Sequence, residues 1–447
     1  MNQRVTVTAS IVLAMLIASM DTTILHTTMP IIAGELGGFQ FYAWAFTSYV
    51  LASTALMPIV GKLADLFGRK RLFVVGVLIF LLGSVLCGVS GTMAQLVIFR
   101  ALQGLGAGIM MPLVQIIAAD LYEVKDRGKI QALFTSMWML SALLAPALGA
   151  LFTEFASWRW IFYINVPVCL FSLLAIFPYR DVYEGVKAKI DGWGAVLFAL
   201  GTSAILLVTA IEQYRWVWAI AGAALLIWFV IHERRHPEPM IPGRLFKQKM
   251  ITWIYANNFV ICLALFGLPN YVPLYLQDAG FSVLMSGLAL VFMSGGWMTL
   301  SVQSGKWILR FGYRPLLLFG NGLLLAAASL LFIGQWIPGY WFLFLALIVL
   351  GAGFGLTFTV SIIGAQQLVE AGDKGISTSL QMFFRNTGLA IGVSVMGLIV
   401  NEAGTISEGV HTLFLYSLVG SLFGFSVAWR IRDHAQARTQ VSNEANV

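Results

Sequence analysis

The chain has 447 residues, of which 59% are hydrophobic and only 11% are charged, whereas a soluble globular domain carries about 25% charged residues. A soluble fold of this length could not bury so much apolar surface, so the composition excludes that class and indicates an integral membrane protein. The formal net charge of +7 would suit a nucleic-acid-binding protein. The positions of the basic residues argue against that class, and we expect no nucleic-acid partner.

Apolar runs follow one another along the whole chain, separated by short polar breaks. Each is close to the ~20 residues that an α-helix needs to cross the hydrocarbon of a bilayer. The first run begins near Val7 and is too long for the apolar region of a cleavable signal peptide, so it is interpreted as a membrane span. The fourteen predicted spans are residues 8–30, 42–64, 72–91, 94–119, 131–155, 160–178, 191–211, 216–232, 251–277, 283–304, 315–335, 340–368, 376–400 and 411–430.

The basic residues indicate how these spans are oriented. If the N-terminus is cytoplasmic and the spans alternate, all but four of the 27 Lys and Arg residues fall in cytoplasmic segments; the four are Arg100, Arg159, Arg215 and Arg385. Cytoplasmic loops carry such an excess of positive charge. We therefore predict a multi-pass protein of the plasma (inner) membrane with both termini in the cytoplasm. The basic charge then faces the anionic cytoplasmic leaflet and requires no nucleic acid.

Two polar breaks, at 179–191 and 232–249, divide the chain. The predicted organisation is an N-terminal six-helix bundle (1–178), two additional transmembrane helices with a cytoplasmic linker (179–250), a C-terminal six-helix bundle (251–430) and a disordered cytoplasmic tail (431–447). An internal repeat supports two related bundles, because residues 61–71 and 305–315 share Gly, Lys, Phe and Gly at matching offsets. Paired six-span halves with such repeats are a transporter architecture.

Several segments resemble signatures of the major facilitator superfamily. Residues 61–71, GKLADLFGRKR, resemble its loop signature G-x-L-x-D-x-x-G-R-[RK], and residues 100–108, RALQGLGAG, resemble its fourth-span signature R-x-x-Q-G-x-G. The fourteen-span drug:proton antiporter branch is indicated by residues 21–30, DTTILHTTMP, and by the segments 157–167, 271–277 and 385–388. The resemblance covers almost the whole chain. It implies an all-α major facilitator fold, with two six-helix bundles and two extra central helices, and transport of drug-like compounds.

The chain departs from the pattern of that branch in two places. In the fifth span, residues 145–150 read APALGA where the antiporter signature reads G-P-x-L-G-G, so Pro146 and Gly149 are kept and two glycines are lost. In the first span His26 stands where the branch has Asn. We retain Pro146 and Gly149 as an antiporter-type motif, and the histidine could alter the handling of substrate or protons.

Five ionisable residues are candidates for proton coupling or substrate binding. A carboxylate inside hydrocarbon, such as that of Asp21, costs ~2.5–3.5 kcal/mol on insertion scales, so it usually has a function. Arg100 lies at a similar depth and is a plausible ion-pair partner, and Arg385 is a second cation within a span. His26 is included because a free imidazole titrates near neutral pH, and Glu154 because it closes the fifth span on the outer side. The alternatives are that Asp21 and Arg100 only join helices, that Arg385 is structural, and that the other two are solvated groups without a role.

A second group of residues forms a predicted conformational latch on the cytoplasmic side. The resemblance implies that Asp65 docks on the N-terminus of a helix that starts near Ile376, where the helix dipole favours a negative charge. It also implies an ion pair between Arg69 and Asp120. The alternative is an ordinary basic cytoplasmic loop. The predicted latch residues are Gly61, Asp65, Gly68, Arg69, Asp120 and Arg127.

Other sequence features give no indication of a cofactor or a metal. The three cysteines, Cys87, Cys169 and Cys262, each lie inside an apolar run without a CxxC pair or histidine cluster, so we expect neither a disulfide nor a metal site. The glycines at 104–108 and 351–355 lie inside long apolar runs, which favours close helix packing over phosphate loops.

The sequence thus predicts a proton-coupled multidrug efflux antiporter that exports lipophilic, often cationic compounds by alternating access. Its expected partners are small lipophilic substrates, protons and membrane lipids, and we expect a monomer. A transporter of a lipid or lipid precursor with the same fold is the alternative. A membrane enzyme or sensor is a third possibility, but the sequence offers no Ser/His/Asp set, metal cluster or appended soluble domain for it.

Overall fold

The computed structural model describes residues 3–181, 191–210, 214–337 and 340–432, and within these ranges every regular element is helical. Two short 3-10 helices, Phe39–Phe41 and Ala371–Asp373, join longer elements. The α-helices are α1 (Gln3–Leu36), α2 (Tyr42–Phe67), α3 (Arg69–Gly88), α4 (Met93–Leu121), α5 (Val124–Phe155), α6 (Trp160–Tyr163), α7 (Asn165–Ala175), α8 (Gly192–Ala210), α9 (Arg215–Arg235), α10 (Arg244–Lys247), α11 (Lys249–Leu265), α12 (Leu268–Asp278), α13 (Val283–Phe311), α14 (Tyr313–Gly334), α15 (Trp341–Gln367), α16 (Lys374–Asn401) and α17 (Ile406–Trp429).

Most of these helices are long and apolar enough to cross a bilayer. In the described part of the chain, 11 helical segments meet that condition, and two shorter apolar helices cover Trp160–Ala175 and Gly192–Val208. The predicted all-helical membrane fold is therefore confirmed. The number of fourteen spans stays a prediction. Of the predicted tail 431–447, residues 433–447 lie outside the described residues, whereas Ile431 is buried.

Several helices extend beyond the apolar runs that predicted them. Helix α5 begins at Val124 rather than at residue 131, α13 ends at Phe311 rather than at 304, and α1 continues past Pro30 to Leu36. Hydropathy identifies only the part of a helix that lipid can cover. Lys, Arg and Gln are good helix formers, so the helix continues into the polar segments beside that part.

The described chain forms two compact units. The first contains Met1–Leu121, Met137–Gly243 and Glu370–Phe383, and the second contains Tyr122–Ser136, Arg244–Val369 and Phe384–Val447. The additional helices α8 and α9 pack against each other, and α8 also packs against α2 in the first unit. The predicted division at 178, 250 and 430 stays a prediction.

In each unit, one helix that contains several glycines packs closely against two neighbouring helices. In the first unit a Cβ on Gly104 or Gly108 of α4 would collide with the backbone of α2, and one on Gly106 would collide with α3. In the second unit the neighbours of α15 are α13, which faces Gly351 and Gly355, and α14, which faces Gly353. Small residues let helices in membranes approach closely. The repeated arrangement matches the internal repeat of the sequence.

Candidate functional site

An ion pair between two buried side chains joins two helices of the first unit. Asp21 comes from α1 and Arg100 from α4, and Nη1 of Arg100 donates a hydrogen bond to Oδ2 of Asp21 at 2.5 Å. Both side chains are 1% exposed. The similar depths estimated from the sequence therefore correspond to a direct contact. Both charges are removed from solvent, which is costly unless each finds its partner and further hydrogen bonds.

Two amide side chains supply those further hydrogen bonds. Nε2 of Gln103 donates to Oδ1 of Asp21 at 2.8 Å, and Nδ2 of Asn165 is 3.3 Å from the same oxygen. Oε1 of Gln103 accepts from Nη1 of Arg100 at 2.7 Å. Each oxygen of the Asp21 carboxylate is thus held by at least one donor, so the carboxylate is held in a fixed orientation.

Further contacts hold the two amide groups and the guanidinium in place. Ser84 Oγ accepts from Gln103 at 2.7 Å and from Asn165 at 2.8 Å. Nε of Arg100 donates to the carbonyl of Ala45 at 3.2 Å. The guanidinium carbon also lies 4.3 Å from the ring centre of Tyr49, a cation–π distance. We call Asp21, Ser84, Arg100, Gln103 and Asn165 the buried polar cluster.

Sequence reasoning missed three members of this cluster. Gln103 lies three residues after Arg100, so both occupy one face of α4, and this spacing was present in the RALQ segment as a usable signal. Ser84 and Asn165 are single polar residues within apolar runs. Asn165 lies in the segment 157–167 that resembles the antiporter branch, but that resemblance does not indicate that α3 and α7 meet α1 at the level of Asp21.

The other predicted coupling residues do not join this cluster in the described part of the structure. Glu154 is exposed near the end of α5. Arg385 belongs to the second unit, where its guanidinium carbon lies 5.9 Å from the ring centre of Phe358. His26 lies on α1, but its side chain is outside what the structure describes. Their proposed roles remain predictions.

The predicted latch residues of the first unit lie close together around the end of α2. The backbone N–H of Ile376, in the first turn of α16, donates to Oδ2 of Asp65 at 3.3 Å. Nη2 of Arg69 is 3.8 Å from Oδ1 of Asp65, and its Nη1 forms an ion pair with Asp120. The hydroxyl of Tyr179 donates to the other oxygen of Asp120 at 2.6 Å. Asp65 therefore lies at a helix N-terminus, and one arginine links it to Asp120.

Glycines make this arrangement possible in two ways. A Cβ on Gly61 would lie 2.6 Å from the carbonyl oxygen of Gly375, so α2 and α16 meet with no room for a side chain. Gly68 has φ +89°, a left-handed conformation that favours glycine, and it separates α2 from α3.

The start of α3 is capped by Asp181, a residue that the sequence did not indicate. Its carboxylate accepts hydrogen bonds from the backbone N–H groups of Arg69 at 2.8 Å and Lys70 at 3.1 Å.

The remaining predicted residues have separate environments. Arg127 belongs to the second unit, where it donates to the carbonyl of Tyr122 at 2.9 Å and to Oε1 of Gln366 at 3.3 Å. A Cβ on Gly149 would lie 2.9 Å from Oγ1 of Thr27, so α5 packs closely on α1 at that point. The side chain of Pro146 lies outside what the structure describes.

The comparisons with known proteins agree on one family. The family model described as Major Facilitator Superfamily matches residues 11–393 and 298–446. Multidrug resistance protein 3 of Bacillus subtilis (strain 168) is 35% identical over 419 residues, which cover 89% of this chain and 80% of that protein. Multidrug transporter protein MdtP of the same organism is 31% identical over 441 residues, covering 95% and 81% respectively.

Among solved structures, the human organic anion transporter MFSD10 (TETRAN) superposes with a TM-score of 0.70. The match covers 95% of this chain and 99% of that one at 16% identity, so it reports the fold alone. The family match extends over most of the chain, and the two bacterial relatives align over most of their own length. The chain is a membrane transporter rather than an enzyme, and it belongs to the Major Facilitator Superfamily.

Proposed function

We propose that this protein is a proton-coupled multidrug efflux antiporter that exports lipophilic, often cationic compounds by alternating access. The observation that carries the proposal is the fully buried Asp21 carboxylate, held by Arg100 and the amides of Gln103 and Asn165. Ionisable groups inside a membrane protein usually belong to a substrate or proton pathway. The names of the two Bacillus relatives, a multidrug transporter and a multidrug resistance protein, support the class of substrate.

We also infer that the chain belongs to the fourteen-span branch. The 11 long apolar segments and two shorter apolar helices are accompanied by α13, which has 29 residues. Together these correspond to the fourteen predicted spans. The hairpin of α8 and α9 would be the pair that twelve-span relatives lack.

In the proposed coupling step, a proton and a cationic substrate compete for Asp21. Protonation removes the negative charge that neutralises Arg100, so the ion pair weakens and the buried polar cluster must rearrange. A cationic substrate can approach Asp21 only when the proton is absent, which makes the two exclusive occupants. Protons would enter from outside and leave inside, so the pH gradient across the membrane would drive the export of the substrate.

The group around Asp65 would act as the conformational latch of this cycle. Its support is that Asp65 binds the first turn of α16 while Arg69 reaches both Asp65 and Asp120. The latch would hold the outward-facing state and separate on the return step. Asp65→Asn should therefore impair transport more than substrate binding, because Asp65 is part of the latch and not of the buried polar cluster.

An efflux assay in everted membrane vesicles tests the proposed function. A panel of lipophilic cations and neutral drugs would be offered with and without an imposed pH gradient. The proposal expects accumulation of several cations that stops when the gradient is collapsed. Accumulation that is indifferent to the gradient would contradict proton coupling. Translocation of a fluorescent lipid with no effect of any drug would favour the alternative of a lipid transporter.

A further inference from the structure

Three side chains that can bind a metal, one carboxylate and two imidazoles, converge where the two additional helices meet. Asp191 directly precedes α8, His232 lies in the last turn of α9, and His236 follows that helix. Their ligand atoms all lie within 4.8 Å of one another. Asp191 is buried and the two histidines are partly exposed, so the group is open to solvent on one side.

The distances within this group suit a small cation. Nε2 of His232 lies 2.9 Å from Oδ2 and 3.0 Å from Oδ1 of Asp191. The rings of His232 and His236 have centres 5.4 Å apart, as expected for residues four apart on one helical face. In a tetrahedral zinc site with bonds of about 2.0–2.2 Å, neighbouring ligand atoms are separated by roughly 3.4 Å. The histidine and the aspartate are therefore already near that spacing.

A second carboxylate adds negative charge at the same place. A Cβ on Gly194 would collide with Oδ2 of Asp191 and would lie 2.9 Å from Oε1 of Glu233. The carboxylates of Asp191 and Glu233 thus both lie close to Gly194, at the start of α8. Glu233 also accepts the N–H groups of Met240 at 3.0 Å and Ile241 at 2.9 Å, which hold it there. Two acids brought together beside imidazoles favour a bound cation, because like charges repel.

We propose that Asp191, His232 and His236 form a binding site for a divalent transition-metal ion of the Zn²⁺ type, with Glu233 at its edge. Imidazole ligands suit zinc and its neighbours, whereas Mg²⁺ and Ca²⁺ prefer oxygen ligands only. The metal bridges Nε2 of His232 and the Asp191 carboxylate in place of their hydrogen bond, and the proton of that hydrogen bond is released to solvent. The N–H of Glu238 lies 3.2 Å from Nδ1 of His236, and metal binding exchanges this weak hydrogen bond for a bond to the metal.

A metal at this position would join the start of α8 to the end of α9. The adjoining hydrophobic cluster includes Phe198, Phe229 and Met240, and Phe383 of α16 packs against it. The site would therefore stiffen the additional hairpin where it meets the rest of the first unit. No metal was expected from the sequence, because no CxxC pair or histidine cluster accompanies the three cysteines. His232 lies 41 residues from Asp191, so no local motif links them.

Metal titration of the full-length protein tests the site. The protein is purified in detergent without a histidine tag, treated with a chelator and titrated with Co²⁺, whose visible absorption reports tetrahedral coordination, followed by competition with Zn²⁺. We expect one Zn²⁺ per chain in the wild type and at least about tenfold weaker binding in His232→Gln and in His236→Gln. Mg²⁺ and Ca²⁺ should not compete.

Two further variants keep the test decisive. Asp191→Asn retains an oxygen for the N–H of Gly194, which donates to Asp191 at 2.8 Å, so the start of α8 should still fold while metal binding weakens. His411→Gln removes a histidine that lies 3.1 Å from the hydroxyl of Tyr275 in the second unit, and it should bind metal like the wild type. Absence of Zn²⁺ binding in the wild type, or unchanged binding when Asp191, His232 and His236 are substituted, would overturn the proposal.

Discussion

Asp21 and Arg100 are each 1% exposed, so each depends on the other for its charge to be tolerated. A buried ion pair is weak evidence for stability, because well-packed neutral residues can replace it without loss. Removing one partner is different, since it leaves a buried charge without compensation. This difference separates a role of the pair in coupling from a role that is only structural.

The first prediction concerns this pair. Asp21→Asn should lower the free energy of unfolding by about 3–5 kcal/mol, because the guanidinium of Arg100 remains buried without a counter-charge. The double variant Asp21→Asn/Arg100→Gln should recover most of that loss but remain inactive in transport. Unfolding in detergent and vesicle transport measure the two effects. Glu154→Gln, at an exposed position, is the control and should not alter stability. Equal destabilisation in the single and double variants would show that the charges are not coupled.

The positions of Asp21 and Arg100 show which features of the buried polar cluster could be predicted from the sequence. Counting the rise along each span placed Asp21 and Arg100 at one depth, and the family resemblance pointed to the same positions. Depth carries no information on the direction in which a side chain points around its helix. Ser84 and Asn165 were therefore missed, although they complete the hydrogen bonds of the buried polar cluster.

In the latch region, the helices α2 and α16 approach closely at two glycines. A Cβ on Gly375 would lie 2.6 Å from both oxygens of Asp65 and 2.6 Å from the carbonyl oxygen of Gly61. The carbonyl oxygen of Gly61 belongs to the backbone, so an added methyl group on Gly375 can be accommodated only if α2 and α16 move apart. The docking of Asp65 on Ile376 would then be lost as well.

The second prediction follows from this contact. Gly375→Ala should destabilise the protein by about 1–3 kcal/mol, as overpacking does, and should impair transport. The matched control is Gly295→Ala on α13, where a Cβ meets nothing within 4 Å. That change should stabilise by about 0.5–1 kcal/mol, because alanine favours a helix over glycine. Thermal unfolding and transport rates report both. A Gly375→Ala protein that is as stable and active as the control would show that the close approach is unimportant.

The sequence predicted which segments form helices more accurately than it predicted where those helices begin and end. The loop glycines and Asp65 were recognisable in GKLADLFGRKR, but Asp181, which caps α3, lies far away in the chain. A cap supplied from another part of the chain leaves no local signal. The four-residue spacing of the two histidines at the end of α9 is likewise visible in the sequence. Nothing in the sequence links this pair to Asp191, which is 41 residues from His232.

The predicted orientation of the whole chain in the membrane rests on the distribution of its basic residues. If the predicted spans alternate from a cytoplasmic N-terminus, nearly all Lys and Arg residues fall on one side, and the family identification agrees with a multi-span transporter. The fold could be predicted because apolar runs and signature loops are local properties. The assignment of residues 122–136 and 370–383 to particular compact units could not, since it depends on packing between distant helices.

The third prediction tests this orientation. The cysteines Cys87, Cys169 and Cys262 are all buried, so a newly introduced cysteine should be the main reactive thiol. Gly243→Cys, at an exposed position in the basic linker, should react with an impermeant maleimide only in everted vesicles. Gly91→Cys, also exposed, should react only in intact cells. The reverse pattern, or labelling of both from one side, would contradict the predicted topology.

The coupling role of Asp21 can be tested by following proton movement in proteoliposomes. Purified wild-type protein is reconstituted with a pH-sensitive dye inside the vesicles, and a lipophilic cation that the vesicle panel has identified as a substrate is added to one side. The account predicts that substrate moves one way while protons move the other. It also predicts that a pH gradient drives substrate uphill and that Asp21→Asn/Arg100→Gln does neither, although it folds. If a protein lacking the Asp21 carboxylate still concentrates substrate with the pH gradient, Asp21 is not the coupling residue and the account is wrong.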